Sequence, residues 1–310
     1  MSYAPIVLFV YNRPDHTRKT VEALLKNAEA KESDFFIFAD GPKKAGDEKV
    51  TAVRDYIKTV SGFKNVTLRL SDVNRGLATS VIAGVTEIVE KYGRIIVLED
   101  DLITAPYFLK YMNDALDRYE NEKKVFSITG YSYFPKGSKK LPETYFLQNM
   151  SSWTWATWAD RWALFDPECK GWKEKLSDRK VVEQFDHGKC FNLTKMMWAQ
   201  MEYKTINSWA VRWCYCAFLN AGLGLFPNTS LVQNTGADGT GTHSGNDSKL
   251  SKNRINNAPI TYFPDKIEEP LIVSKEINRL YRAKHCQHYV KRGLHYITHI
   301  WDIPKKIIKR

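Results

Sequence analysis

Arg94-Ile95-Ile96-Val97-Leu98-Glu99-Asp100-Asp101 is the most informative segment of this 310-residue chain. Ile95 to Leu98 form a continuous apolar run without polar alternation. That is the pattern of a short strand buried on both faces of a parallel sheet. Three carboxylates follow at once. Adjacent anions are unfavourable unless a cation or positive donors compensate them. Open α/β sheets bind ligands beyond the carboxyl ends of their strands. Hard oxygen ligands in that position suit Mg²⁺ or Mn²⁺, which bridge readily to phosphate. The plainer alternative is a solvated turn whose acids favour the start of a helix expected over Pro106–Tyr119.

The residues before this segment support the same sheet. Ile6 to Val10 is a second continuous apolar run, broken by Asn12-Arg13-Pro14-Asp15. Asp15 is placed to cap a helix reaching about Asn27. Asp34 to Ala39 predicts a strand stopped by Asp40-Gly41-Pro42, and a polar helix follows from about Gly46 to Val60. Val66 to Leu70 alternates like a strand, and Asn74-Arg75-Gly76 precedes a helix over Leu77–Tyr92. Strands and helices alternating at this spacing imply a doubly wound parallel sheet. The groups to read are therefore Asn12 and Arg13, Asp40, Asn74 and Arg75, and the acidic triplet.

Four segments resemble GT-A glycosyltransferases, of the N-acetylglucosaminyltransferase I type and its bacterial relatives. They are LFVYNRPDHTRKTVEALL (8–25), FADGPK (38–43), NRGLATSVIAGV (74–85) and RIIVLEDDLITAPYFLKYM (94–112), in that order. The resemblance covers about residues 5–135. It implies an α/β, Rossmann-like, mostly parallel sheet flanked by helices. It also implies transfer of a sugar from a nucleotide-diphosphate donor, with UDP as the first choice, and Mn²⁺ or Mg²⁺ as cofactor. Residue by residue, Arg13 and Asp40 would contact the nucleotide, Asp40 near the base. Arg75 would lie near the nucleotide or its phosphates. Asp100 would reach the ribose or donor sugar, Glu99 the donor sugar, and Asp101 the metal. Read as ordinary residues, Arg13 caps its turn, Arg75 is a surface arginine, and Asp40 belongs to an Asp-Gly-Pro turn.

Eight of the nine tryptophans lie between Trp153 and Trp213. Aromatic faces suit sugar rings, yet tryptophan is foremost a packing residue. Trp153 and Trp209 are the two expected to touch substrate. The stretch from Ile206 to Gly245 resembles the closing part of the same catalytic domain. There the eukaryotic enzymes carry paired aspartates, the second being the catalytic base. This chain has Asn207-Ser208, and neither is a carboxylate base. Asp160 and Glu202 are the remaining candidates, each otherwise an ordinary salt-bridged acid. Gly236 to Gly245 is glycine-rich without a P-loop lysine. It is expected to close over the diphosphate, with His243 contacting phosphates or completing the metal site.

The net charge is +11, and residues 275–310 carry ten Lys/Arg against two acids. The body is nearly balanced, so a broad nucleic-acid-binding face is not expected. Apolar residues recur at helical spacing through this tail, predicting a basic amphipathic helix. Such a helix suits peripheral contact with an anionic inner membrane leaflet, or packing on the body. Five cysteines with no CxxC pair disfavour a disulfide framework or zinc ribbon and suggest a reducing, cytoplasmic setting. No signal peptide or apolar span is expected. The chain divides into a nucleotide-sugar-binding half (1–135), an acceptor-binding half (136–274) and the tail (275–310). The overall expectation is a metal-dependent glycosyltransferase acting on a carbohydrate or glycolipid acceptor in bacterial polysaccharide or glycolipid assembly, inverting by default. A sugar nucleotidyltransferase and a non-catalytic nucleotide-sugar-binding protein are the alternatives. The first is disfavoured by the absence of glycine in Tyr11-Asn12-Arg13-Pro14.

Overall fold

The computed structural model describes residues 2–236 and 254–281. The first half alternates as expected: β1 (Ile6–Val10), α1 (Pro14–Leu24), β2 (Asp34–Ala39), α2 (Glu48–Lys58), β3 (Asn65–Leu70), α3 (Leu77–Tyr92) and β4 (Arg94–Glu99). A short β5 (Leu102–Thr104), α4 (Phe108–Arg118) and β6 (Val125–Thr129) follow. The second half holds β7 (Thr144–Leu147), β8 (Trp155–Trp158), α5 (Ala159–Trp162), α6 (Trp172–Lys175), α7 (Arg179–Phe185), α8 (Leu193–Met201), α9 (Trp209–Leu219), β9 (Leu223–Pro227) and β10 (Val232–Asn234).

Local chemistry moves some boundaries from their expected places. Asp15 does not cap α1; Pro14 opens the helix after Arg13, where a missing N–H costs nothing. The helix ends at Leu24, because the Asn27 amide donates back to the Ala23 and Leu24 carbonyls. The Asn27 side-chain oxygen then accepts the Leu109 N–H at 2.9 Å, tying the end of α1 to α4. In α2 the cap is Asp47, whose carboxylate takes the N–H groups of Lys49 and Val50.

Eight strands form one sheet in the order β3-β2-β1-β4-β8-β6-β9-β7. β3, β2, β1 and β4 are parallel; β8 runs against both β4 and β6, β9 is parallel to β6, and β7 opposes β9. The sheet is mostly parallel, Rossmann-like and continuous across both halves of the chain. Alternate residues face opposite ways. Ile6, Leu8, Ile96 and Leu98 join α1, α2 and α4 on one side. Val7, Phe9, Ile95 and Val97 join α3, α8 and α9 on the other. The chain winds outward from β1 to β3, then returns through α3 to β4 on β1's other flank. That reversal opens a crevice beyond the carboxyl ends of β1 and β4.

Residues 271–281 are helical. Val273 and Ile277 pack on Phe134, Tyr145, Leu147 and Phe226, and Glu276 pairs with Lys140 at 3.1 Å. The start of the segment expected to be an amphipathic tail thus packs on the body. Residues 282–310, on which the membrane expectation rests, lie outside the described residues. Among the described residues, no helix is long and apolar enough to cross a membrane.

Candidate active site

The acidic triplet lies at the β1–β4 crevice. Glu99 is the last residue of β4 and pairs in register with Phe9, on the face that carries α9. Asp100 and Asp101 are buried. Their backbones are fastened: Thr20 Oγ1 donates to the Asp100 carbonyl at 2.8 Å. The Thr235 N–H and hydroxyl donate to the Asp101 carbonyl at 2.8 and 3.0 Å. Arg13 bridges the two carboxylates, donating through Nη2 to Asp100 and standing 3.0 Å from Asp101 through Nη1. Burial opposes the Arg13 charge, but the two acids outweigh it and hold its pKa above the usual value. Burial pushes Asp100 up to about 6 against the pull of Arg13. Glu99 rises further, to about 8, through desolvation and the nearby Asp101 and Asp100, against the opposing pull of Arg13 and of the Trp209 indole N–H bonded to it.

Asp40 follows β2 directly. Its carboxylate accepts four hydrogen bonds: from the N–H of Gly41 (2.9 Å), Arg75 (2.8 Å) and Gly76 (2.9 Å), and from the Asn74 amide (3.1 Å). Those bonds occupy the acceptor capacity of a carboxylate. Asp40 therefore fastens the turn that leads into α3. Arg75 gives its backbone N–H to this clamp and exposes its side chain. Beside it, Tyr11, Asn12, Lys43 and Lys44 line an open cleft at the ends of β1 and β2. The Lys43 ammonium stands 6.0 Å above the Tyr11 ring.

The second half supplies the opposite wall. Trp155 pairs with Val97 at the last step of this antiparallel ladder, and the chain before it leaves the sheet through Trp153 and Thr154. Trp153 is half-buried and meets Tyr131 edge-on at 4.6 Å. Tyr131 in turn meets Tyr133 at 5.4 Å, and the Asn149 amide donates to the Tyr133 hydroxyl at 2.8 Å. Thr154 between Trp153 and Trp155 has φ of 56°, a left-handed value that is rare for a β-branched residue. Its hydroxyl donates to the Trp153 carbonyl at 2.6 Å and accepts the Gly130 N–H at 3.2 Å. Strain of this kind costs about 1–3 kcal/mol and persists where surrounding bonds enforce it.

Two expectations are corrected here. Trp209 is not an open stacking face: it is buried and stacked on Trp155 at 5.1 Å, with its N–H given to Glu99. Asp160 lies at the wrong end of the sheet. It follows Trp158, which pairs with Arg94 at the amino end of β4, and it is bound by Lys123 (2.6 Å) and Arg161 (2.7 Å). Antiparallel β8 carries the chain away from the triplet within four residues. Glu202 pairs with Lys173 at 2.8 Å on the surface, outside the Arg13–triplet network. Ser208 caps α9 by accepting the Val211 N–H, while its own N–H goes to Gln200. His243 lies outside the described residues.

Several site residues escaped the sequence reading. Thr20 and His16 share the α1 face with Arg13, at helical spacing from it; His16 Nε2 lies 3.4 Å from the Thr235 carbonyl. Gly236 matters for another reason. A Cβ there would overlap the Asp101 carboxylate and come within 3.1 Å of Arg13, so only glycine lets the backbone pass. The helical spacing of 13, 16 and 20 was a usable signal, whereas the approach of Gly236 had none.

Among the described residues, no group of three or more His, Cys, Asp or Glu forms a metal cage. Asp100 and Asp101 do offer hard oxygens beside a crevice. That fits Mg²⁺ or Mn²⁺ in the form that takes one or two carboxylates and completes its shell with water and substrate phosphates.

No curated protein matches in sequence. Among solved structures, S. aureus TarS is 14% identical over 40% of this chain, with a TM-score of 0.29, and the chain spans only 21% of it. A protein from Desulfovibrio desulfuricans G20 described as a nucleotide-diphospho-sugar transferase is 13% identical, covering 72% of this chain and 99% of that one at a TM-score of 0.35. A UDP-glucose pyrophosphorylase complexed with UDP-glucose is 10% identical, covering 52% and 79% at 0.32. Likenesses this distant identify neither substrate nor reaction. A family model is decisive instead: it matches residues 6–164, from β1 through the triplet to just past α5, about half of the chain. The fold is the GT-A fold, and the chain belongs to glycosyl transferase family 2.

Proposed function

We propose that the protein is a metal-dependent glycosyltransferase that moves a sugar from a UDP-linked donor to the hydroxyl of a carbohydrate or glycolipid. The observation that carries this reading is the buried Asp100–Asp101 pair, bridged by Arg13, at the crevice of a family 2 domain. Asp101, with the donor diphosphate, would hold Mn²⁺ or Mg²⁺. Such an ion neutralises charge developing on a departing nucleoside diphosphate. Glu99 and Asp100 would meet the donor sugar or ribose. Arg75, exposed at the clamp turn, would face the phosphates, and Tyr11 with Lys43 would flank the nucleotide. The half-open Trp153–Tyr131 pair would offer a sugar acceptor an aromatic wall. The N-acetylglucosaminyltransferase I type of resemblance suggests inversion and a place in bacterial surface-polysaccharide or glycolipid assembly. A basic tail would favour work at the inner membrane face.

The test is hydrolysis of a panel of UDP-, GDP- and TDP-sugars with Mn²⁺, with and without EDTA, beside Asp101→Ala. Release from one donor, abolished by EDTA and by Asp101→Ala, is expected. Pyrophosphate release from a nucleoside triphosphate and a sugar phosphate would indicate a nucleotidyltransferase. Calorimetric binding of UDP with Mn²⁺ but no turnover with any acceptor would indicate a binding protein. Absence of both binding and turnover would sink the proposal.

A further inference from the structure

Arg13 stands against one of the two oxygens that Asp101 could offer a divalent ion. Its Nη1 lies 3.0 Å from Asp101 Oδ2, and its Nη2 is spent on Asp100. The side chains are 17% exposed for Arg13, 5% for Asp100 and 10% for Asp101, so water screens the three charges little. Asp101 has little freedom to turn away. Its carbonyl is held by Thr235, and the Gly236 backbone closes one side of its carboxylate. Asp100 is fixed in the same way by Thr20.

A guanidinium and a divalent ion held against the same buried carboxylate repel one another. A divalent ion approaching Asp101 meets a guanidinium already in place, and their mutual repulsion is strong where the effective dielectric is low. If Arg13 merely swung out into the crevice, it would leave both acids for water. A diphosphate arriving with the ion changes that balance, because a guanidinium forms strong bidentate bonds with phosphate.

We infer that Arg13 is a resident counter-cation of the acidic pair, displaced when the ion binds and transferred to the donor diphosphate. This rests on the metal-dependent reading above. Arg13 suppresses ion binding in the donor-free protein and makes binding of ion and nucleoside diphosphate mutually dependent. Coupling of this kind is reciprocal: whatever the nucleotide adds to ion affinity, the ion adds to nucleotide affinity. Arg13 is a positioning residue in this scheme and takes no part in bond making.

The test measures free Mn²⁺ by electron paramagnetic resonance during titration of the full-length protein, with and without saturating UDP. Arg13→Gln is expected to bind Mn²⁺ alone about tenfold tighter than the unmodified protein, within the usual range of site-to-site coupling, and to lose most of the gain that UDP confers. Arg13→Lys keeps the charge but cannot span both carboxylates. It is expected between the two, and decides the matter should Arg13→Gln fail to fold by circular dichroism. Equal Mn²⁺ affinity in all three proteins without UDP would overturn the inference while leaving a metal-dependent enzyme. No Mn²⁺ binding by any of them, with or without UDP, would overturn the metal reading itself. In Asp101→Asn, Mn²⁺ affinity is expected to fall under both conditions; unchanged affinity would remove the ion from Asp101 and this scheme with it.

Discussion

Arginine–aspartate clusters stand at both ends of the sheet, and they differ in what holds the arginine. At the amino end of β4, Arg161 is buried and donates to four carbonyls, those of Tyr119, Glu120, Glu122 and Val125. It also stacks over Trp158 at 4.2 Å. Asp160 is incidental to that arrangement: its side chain is 46% exposed and shared with Lys123. At the carboxyl end, Arg13 is held by two buried carboxylates, and the acids are the fixed partners. An arginine bonded to backbone stabilises the fold and cannot leave. One bonded only to carboxylates is exchangeable for another cation. The same two residue types thus build a structural joint at one end and a candidate site at the other.

Substitutions that separate stability from turnover sharpen this contrast. Arg161→Ala strands four carbonyls and should cost the most, about 3–5 kcal/mol, read as a large fall in Tm with no change in turnover per folded molecule. Loss of turnover with an unchanged Tm would reverse the assignment of the two ends. Asp101→Ala should behave oppositely, cutting donor turnover by about 10²–10³ with the fold intact by circular dichroism. Gly236→Ala should push the backbone away from Asp101 and weaken UDP–Mn²⁺ binding about tenfold by calorimetry, the order of a lost charge contact. Wild-type affinity in that variant would mean the close approach is not needed.

Trp209→Phe keeps the packing on Trp155 but removes the N–H given to Glu99. A loss of about 1 kcal/mol in denaturant unfolding is expected, with a further upward drift of the Glu99 pKa. Asp160→Asn should have the smallest effect, within about 0.5 kcal/mol. Although slight burial raises the Asp160 pKa, hydrogen bonds from Lys123 and Arg161 prevail and lower it. The pair therefore contributes above the unfolded carboxylate pKa of about 3.9 and is lost as pH falls through the depressed folded value. The variant should flatten that acid limb alone. A fall in turnover would restore Asp160 as a base, against its position at the amino end of the sheet.

Much of the first half was legible because its signals are local. Apolar runs such as Ile95–Leu98 report burial on both faces, and polar breaks such as Asn12–Asp15 and Asp40–Pro42 mark strand ends in the sequence itself. The parallel core, the flanking helices and the position of the triplet follow from those patterns. The second half carries no comparable signal. Its tryptophans read alike in sequence, yet Trp209 is sealed against Trp155 while Trp153 is half open. Asp160 and Glu202 looked eligible only through closeness in the chain, and an antiparallel strand undoes closeness of that kind. Boundaries shifted where side chains compete with the helix backbone, as Asn27 does at the end of α1.

Periodicity and charge adjacency alone determined that this chain builds a wound sheet with three acids at the end of one strand, because both depend on residues near in sequence. Only the tertiary structure decided what compensates those acids. Arg13 meets Asp100 and Asp101 across nearly ninety positions, Trp209 reaches Glu99 from α9, and Gly236 passes where no side chain fits. Asp40 is likewise bonded to a turn more than thirty residues away. The charge on an acid is written in the chain, but its partner is chosen by which distant segments the sheet order brings within hydrogen-bonding distance.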